Sequence, residues 1–512
     1  MTLVDAVIVV GSLVAVVALG GWLAVRQRVA GDYYLAGRRL PAWALGLSLA
    51  ANQVSAISLV GAPAFVALRA GGGLRWLQYE LAVPLAMAVL VIWGVPFIRQ
   101  AQGADVYAAV EARLGAPARR VAAGLFLVGR GAGVGVVLYA SALVVVAVTG
   151  WSLVTSLAVV GGVAVAYTAL GGLAADVISD VAQFVILWGG TVVAGGFLAV
   201  RLLADGALFE GLSRDRLLPL DFVHHGLGDG ATFAFWPMLV GGLFLYLAYY
   251  GCDQTQAQRI LAARSPDEAR TALAVASFAR FPLVCTYCLF GVLLGELVAA
   301  EPAFAARLAG KPPDALVPEF LASAVPVGIR GVAVAGILAA ALSSIDSALN
   351  SLSAVSLEEL APARFGAGLS VARLTTVAWG VLAFVAAWLF SHAGKTTIEL
   401  VNQVGSALYG PTLAIFALAW LSRRANGRSA AIGGLAGVAA NLLVGWLAPA
   451  VSWLWWNPFG FIVATAVGVA FGRSGQRTAL PAVDARAKRT AGSLLVLFLV
   501  ILGVLAAIWL AL

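Results

Sequence analysis

Long apolar runs separated by short polar segments follow one another along the whole chain. About 20 helical residues cross the ~30 Å apolar core of a bilayer, and backbone groups in lipid must hydrogen-bond within their own segment. Each long run is therefore predicted to be a membrane-spanning helix. Hydropathy delimits fourteen such runs, at 5–25, 41–67, 74–98, 121–148, 152–170, 177–200, 232–257, 271–295, 328–354, 370–391, 398–422, 429–447, 452–472 and 490–510.

The overall composition excludes several other classes of protein. Hydrophobic residues make up 62% of the 512 residues and charged residues only 11%, against about 45–50% and ~25% in soluble domains. A soluble enzyme, a disordered chain and a fibrous protein are thus excluded. No nucleophile–base pair, metal-ligand spacing or phosphate-binding loop accompanies the acidic residues of the apolar runs, so we expect neither enzymatic activity nor a cofactor.

The basic residues indicate topology. The net charge is +8, but the Lys and Arg residues lie almost entirely between apolar runs, so we expect no nucleic-acid partner. With the N-terminus outside, the inner loops hold 21 basic residues and the outer loops 9, as the positive-inside rule requires. The chain is therefore predicted to be a multi-pass protein of the cell (plasma or inner) membrane, a monomer or weak oligomer in the lipid bilayer, with both termini outside.

Six of the ionisable residues inside predicted spans are candidates for lining a solute or ion path. Charged groups in a membrane are costly and usually line a cavity or an ion path. Polar, helix-weakening residues also interrupt two of the spans, AANQVSAIS at 50–58 and YYGCDQTQ at 249–256. These are the second and seventh spans, and breaks five spans apart suggest a transporter made of two inverted repeats. The six ionisable residues are Glu80, Arg130, Asp180, Asp253, Arg280 and Asp346.

A pair of serines in the ninth span has the chemistry of a sodium site. Ser343 and Ser344 present neighbouring hydroxyls, and the carbonyl of Ala340 lies one helical turn earlier on much the same face. If the second span opens between Ala51 and Val54, its carbonyls can face these hydroxyls. The same small residues are also typical of a helix-packing face, so spacing alone leaves both interpretations open.

Several motifs, in this order, resemble the sodium/solute symporter family, which includes sodium–glucose, sodium–proline, sodium–iodide and sodium–sialic acid carriers. The resemblance covers about residues 30–425. The motifs are DYYLAGR at 32–38, YTALGGL at 167–173, SDVAQ at 179–183, DQTQAQR at 253–259 and AALSSIDSALNS at 340–351.

The resemblance implies an all-α, leucine-transporter-like fold with a 5+5 inverted repeat. Residues 1–30 would form a peripheral first helix, 31–425 a ten-helix transport core, and 426–512 three peripheral C-terminal helices. A sodium ion would bind the carbonyls of Ala51, Val54 and Ala340 and the hydroxyls of Ser343 and Ser344. Asp180 would hold a second sodium or a proton. Relatives with a second sodium tend to have a hydroxyl where this chain has Ala340, so one or two sodium ions remain open.

For the solute, the resemblance to the sugar carriers implies a set of cavity-facing positions, several of which carry different side chains in this sequence. Ser58, Asp253 and Arg280 stand where those carriers have a longer amide, Asn and Lys. Arg130 could hold an anionic solute through its bidentate guanidinium, or pair with Asp180 or Glu80 for structure. The predicted solute-binding residues are Ser55, Ser58, Glu80, Arg130, Asp253, Arg280 and Gln403.

The function predicted from the sequence is that of a sodium-coupled secondary active symporter. It would import a small polar organic solute (a sugar, an organic acid or a similar molecule) by alternating access. Two alternatives stand beside it: a proton-coupled symporter of the same fold, and a membrane sensor or input module with little transport. The paired serines, and the absence of a histidine from the predicted spans, favour sodium.

Overall fold

The computed structural model describes residues 2–24, 30–54, 56–100, 105–206, 211–360, 369–392, 397–473 and 483–512. Over these ranges the chain is helical, with one isolated bridge between Leu227 and Val451 and no β-strand, as the sequence predicts. The principal helices are α1 Leu3–Ala24, α2 Ala42–Gln53, α3 Ala56–Ala67, α4 Leu74–Ile98, α5 Tyr107–Leu114, α6 Ala116–Thr149, α7 Leu153–Ala204, α8 Pro237–Gly251, α9 Gln254–Ala262, α10 Pro266–Ala300, α11 Ile329–Leu360, α12 Leu369–Phe390, α13 Thr397–Leu421, α14 Gly427–Leu447, α15 Trp456–Ala470 and α16 Ala485–Ala511.

The number of spans differs from the expectation. Within the described ranges, ten helices are long and apolar enough to cross a membrane, or eleven if the bent pair α2–α3 counts as one span. The predicted count of fourteen is therefore not confirmed. One reason is that the predicted spans 152–170 and 177–200 lie in the single helical run of α7. Another is that α8 and the described part of α1 are apolar but shorter than a full span.

Both predicted helix breaks are confirmed. The first helix of the bent pair ends at Gln53, and Val54 has extended backbone angles (φ −97°, ψ 91°). The other break follows Gly251, and Asp253 is extended (φ −78°, ψ 123°) before α9 begins. Each break places backbone carbonyls and polar side chains in the middle of the protein, where a regular helix would use those carbonyls internally.

A sharp bend also divides α7. Gly172 has φ +55° and ψ −166°, and a Cβ atom there would lie 2.7 Å from the Tyr33 ring and from the Tyr33 carbonyl. Glycine is the residue that adopts this conformation without strain. The bend directs the second half of α7, with Asp176 and Asp180, along α11.

Helix α11 is the centre of the protein. It packs against α1, α6, α7 and α12, and nearly all of its side chains are buried. By contrast, α12, α14 and α16 expose most of their apolar side chains, which suits contact with lipid. The polar residues of α11, among them Ser343, Asp346 and Asn350, consequently lie in the interior, where each needs a partner.

Candidate functional site

A cavity of about 170 Å³ lies between the α2–α3 break and helices α4, α6, α8, α10, α11 and α13. A wall with a few convergent polar groups among aromatic rings is typical of a small-molecule site. The polar lining comprises Asn52, Gln53, Ser58, Arg130, Arg280 and Ser344, and the aromatic lining Trp76, Tyr79, Tyr246, Tyr249 and Tyr409.

Arg130 projects from the middle of α6 into this cavity. Its guanidinium lies over the Tyr249 ring, 5.2 Å from the centroid, and its Nη2 is 3.1 Å from Oδ2 of Asp253. Nε and Nη2 are both buried and have no hydrogen-bond partner among the residues that the structure describes. The predicted pairing of Arg130 with Asp180 or Glu80 is wrong, because both of those acids face other arginines.

Arg280 is the second arginine of the cavity wall, and Glu80 holds it. Its Nε donates to Oε2 of Glu80 at 2.5 Å and its Nη2 to Oε1 at 2.7 Å. Nη2 also donates to the Tyr246 hydroxyl at 2.9 Å. Glu80 is 1% exposed, so its carboxylate orients Arg280 from behind. Bidentate pairing of this kind fixes the plane of the guanidinium.

The residues predicted to bind sodium lie where α2 ends against α11. Ala51, Val54, Ala340, Ser343 and Ser344 are all buried. The Ser344 hydroxyl donates to the carbonyl of Asn52 at 3.4 Å. The Ser343 hydroxyl donates instead to Oδ1 of Asp180 at 2.5 Å. The structure therefore places the Ser344 hydroxyl at the broken end of α2 and the Ser343 hydroxyl at Asp180.

Three carboxylates surround one arginine next to this place. Asp176, Asp180 and Asp346 are buried and offer carboxylate oxygens within 4.8 Å of one another. Arg259 is fully buried, and its Nη2 lies 2.8 Å from Asp176 and 3.1 Å from Asp180. Ser48 donates to Asp180 as well. Three carboxylates facing one guanidinium leave an excess of negative charge, which a low-dielectric interior tolerates only with a bound cation or with protons.

Two members of this group were not predicted from the sequence. Arg259 lies beyond the predicted span 232–257 and is therefore expected in a loop, yet it is 0% exposed. Asp176 was not singled out, although it lies one helical turn before Asp180, and that spacing puts both carboxylates on one face. A pair of acids at i and i+4 in an apolar run was the available signal.

The remaining predicted solute positions are divided. Ser58 lines the cavity, whereas Asp253 pairs with Arg130, which lines it. Gln403 lies near the start of α13 and is absent from the cavity lining in the part of the chain that the structure describes. Ser55 falls outside the described residues.

Known proteins are similar to this chain over most of its length. Residues 33–437 match the model of the sodium:solute symporter family. The chain is 28% identical over 443 residues to the sodium/sialic acid symporter NanT of Aliivibrio fischeri, covering 84% of this chain and 85% of that protein. It is 28% identical over 435 residues to the human sodium/iodide cotransporter, covering 82% of this chain and 65% of that protein.

The fold also matches solved structures. A substrate-bound, outward-open structure of a Na⁺-coupled sialic acid symporter superposes with a TM-score of 0.81 at 21% sequence identity, covering 93% of this chain and 100% of that one. The structural matches are transporters of the leucine-transporter-like fold, which the sequence motifs imply.

Proposed function

Because the chain belongs to the sodium:solute symporter family, we propose that it is a sodium-coupled symporter that imports a small organic acid by alternating access. The observation that carries the choice of an acid is Arg130 at the cavity wall, whose buried Nε has no hydrogen-bond partner in the described ranges and whose Nη2 is held by the ion pair with Asp253. A carboxylate offers two oxygens in the geometry that these two donors need. Sialic acid and iodide, the solutes named for two relatives, are both anions in neutral water.

The solute lies in the cavity between the two arginines. Its acidic group contacts Arg130, and its polar body contacts Arg280 and Ser58, with Tyr249 and the other rings covering its apolar faces. Glu80 acts through Arg280, to which it is bonded by both oxygens. The proposed solute-binding residues also include Ser55, Asp253 and Gln403. The resemblance to the family is the sole support for Ser55 and Gln403.

The coupling sodium binds the carbonyls of Ala51, Val54 and Ala340 and the hydroxyls of Ser343 and Ser344. This placement is supported by the position of Ser344, which also lines the solute cavity and bonds to the broken end of α2. An ion that orders α2 against α11 would thereby complete the solute site. Affinity for sodium would rise when solute is bound, and affinity for solute would rise equally when sodium is bound.

The proposal includes a second sodium ion at Asp180. The specific alternative is that Asp180 binds a proton. The excess of carboxylates over guanidinium at Asp176, Asp180 and Asp346 suits either ion. A proton there would make the protein a proton-coupled carrier of the same fold.

The organisation of the chain is also proposed. The transport core is 31–425, with 1–30 and 426–512 peripheral, and fourteen helices cross the membrane with both termini outside. Cysteines added at residues 2 and 512 should react with an impermeant maleimide on intact cells. Reaction of either cysteine only after the membrane is opened would contradict the topology.

Uptake into proteoliposomes tests the function. Radiolabelled sialic acid and a panel of small carboxylic acids should accumulate under an inward sodium gradient and not when choline replaces sodium. Arg130→Gln should abolish uptake, whereas protein-free liposomes give the background. Uptake that follows a pH gradient in the absence of sodium would establish the proton alternative. Accumulation of neutral sugars, but of none of the acids, would overturn the solute class.

A further inference from the structure

A second, smaller cavity lies on the other side of Arg130. Its volume is about 50 Å³. Along α6, the first cavity is lined by residues 130–137 and the second by residues 125–133, so the two follow one another along this helix. Arg130, Gly133 and Tyr409 line both. The second cavity reaches Tyr107 of α5, whose hydroxyl donates to the carbonyl of Cys252.

Asp253 stands in the wall of the second cavity and has hydrogen-bond partners besides Arg130. Its Oδ1 accepts the Thr255 N–H at 2.8 Å, and its carbonyl accepts the Ala257 N–H at 2.9 Å. Asp253 is therefore the N-cap of α9, where backbone donors and the helix dipole favour a carboxylate. Oδ2 is the oxygen directed at Arg130. If Arg130 moves away, the hydrogen bonds of the cap remain.

Arg130, in contrast, depends on a counter-charge. Its guanidinium lies over the Tyr249 ring. Removing Asp253 without replacement would leave a buried guanidinium unpaired, which is strongly unfavourable. Replacing one carboxylate by another avoids this penalty, and a neutral solute has no equivalent group.

We propose that Asp253 occupies, on Arg130, the position that the carboxylate of the transported acid takes during transport, and that this exchange opens the passage between the two cavities. Asp253 is then a specificity-determining residue: it competes with the solute for Arg130, so that an anion can replace it and a neutral solute cannot, and it ties the entry of the anion to the opening of the passage. The inference rests on the proposed function for the identity of the solute, but its test requires no transport.

Cys252 reports on the passage because it lines the second cavity and is 2% exposed. With Cys285→Ala and Cys288→Ala it becomes the sole thiol of the chain. An impermeant maleimide is applied to each face of proteoliposomes containing this parent protein. Asp253→Asn should raise the rate of Cys252 labelling from one face by about tenfold or more, since it breaks a buried ion pair. Arg130→Gln should do the same, and the double variant should label no faster than either single variant.

The exchange itself is tested by chemical rescue. Asp253→Ala leaves a gap the size of one carboxylate beside Arg130. Formate should enter it and slow the labelling of Cys252 towards the parent rate. Formamide has the same shape without the charge and should leave the rate unchanged.

The control is Asp215→Asn, which breaks the pair of Asp215 with Arg75 at 2.5 Å away from both cavities and should label like the parent. A parental rate in Asp253→Asn would overturn the closure of the passage by this pair, and equal effects of formate and formamide would overturn the exchange. If the single variants fold poorly, the double variant carries the same expectation, because it leaves no charge of the pair buried alone. Failure of acid uptake would count against the proposed function without altering these rates.

Discussion

Replacing Ser344 with alanine tests whether α11 supplies a sodium ligand to the broken end of α2. The Ser344 hydroxyl makes a long hydrogen bond of 3.4 Å to the Asn52 carbonyl, whereas strong O–H···O bonds measure about 2.7–2.8 Å. Its loss should therefore cost the ion-free protein only about 0.5 kcal/mol, the low end of the usual range. Ser343→Ala differs, because that hydroxyl donates to the Asp180 carboxylate at 2.5 Å, a bond worth about 1.5–3 kcal/mol.

The expected effect on sodium is larger than the effect on stability. Losing one of five proposed oxygen ligands should weaken sodium binding about tenfold or more, or ~1.4 kcal/mol. At a sodium concentration of about 100 times the parental Kd, bound sodium stabilises the parent by ~2.7 kcal/mol and a tenfold weaker variant by ~1.4 kcal/mol. Ser344→Ala should consequently lose sodium-dependent stabilisation while it keeps its ion-free stability, and Ser343→Ala should lose both.

Thermal unfolding of the purified protein over a sodium titration, with choline holding the ionic strength constant, measures both quantities. Ser351→Ala is the matched control. It lies two turns further along α11 and bonds to Thr255 and to the Ser347 carbonyl, so it should change stability without moving the sodium midpoint. A parental sodium midpoint in Ser344→Ala would remove Ser344 from the site. An equal shift in Ser351→Ala would show that the effect is general to the helix.

Three further predictions concern charge, pH and backbone. Arg259→Gln should destabilise the folded protein by about 3–5 kcal/mol and so lower its folded yield. Adding Asp176→Asn should restore much of the folded yield, measured by size-exclusion chromatography, and no restoration would refute the charge argument. Burial raises the pKa of the Asp105 carboxyl from 3.8 to about 6 in the folded state. The folded state therefore binds this proton more tightly than the unfolded state, and the stability that the proton contributes is lost as pH rises from about 4 to 6. The melting temperature of the wild type relative to that of Asp105→Asn should fall across this pH window, and a constant difference would contradict the argument. Gly172→Ala should cost about 1 kcal/mol or more in melting experiments, whereas Gly189→Ala, with nothing within 4 Å of its Cβ, should not.

The features predicted correctly from the sequence depend on neighbours along the chain. The break after Gln53 and the break before Asp253 follow from polar residues placed inside apolar runs, and the second is fixed locally because Asp253 caps α9 through Thr255. The position of the serines on α11 likewise follows from helical periodicity. Local rules of this kind need no knowledge of how helices pack.

The partners of the buried charges could not be predicted in the same way. Arg130 pairs with a residue 123 positions away, and Arg259 with carboxylates of α7. Such pairs depend on which faces of distant helices meet, and a hydropathy pattern does not predict which helices pack together. Hydropathy predicts a loop at Arg259 because the short helix α9 is polar overall. Its burial results from packing of α9 against α2 and α11.

The distribution of buried charge relates solute binding to ion binding in the proposed mechanism. Each cavity arginine already has its own acid, Arg280 with Glu80 and Arg130 with Asp253, so the empty solute site is close to neutral. An organic acid therefore adds a negative charge to the protein interior, and one sodium ion at Ser344 balances it. The carboxylates around Arg259 retain their own excess of negative charge, and this excess attracts a further cation. One sodium per acid moves no net charge across the membrane, whereas two move one positive charge inward. A solute-driven current is thus the observable that decides whether Asp180 takes part in coupling.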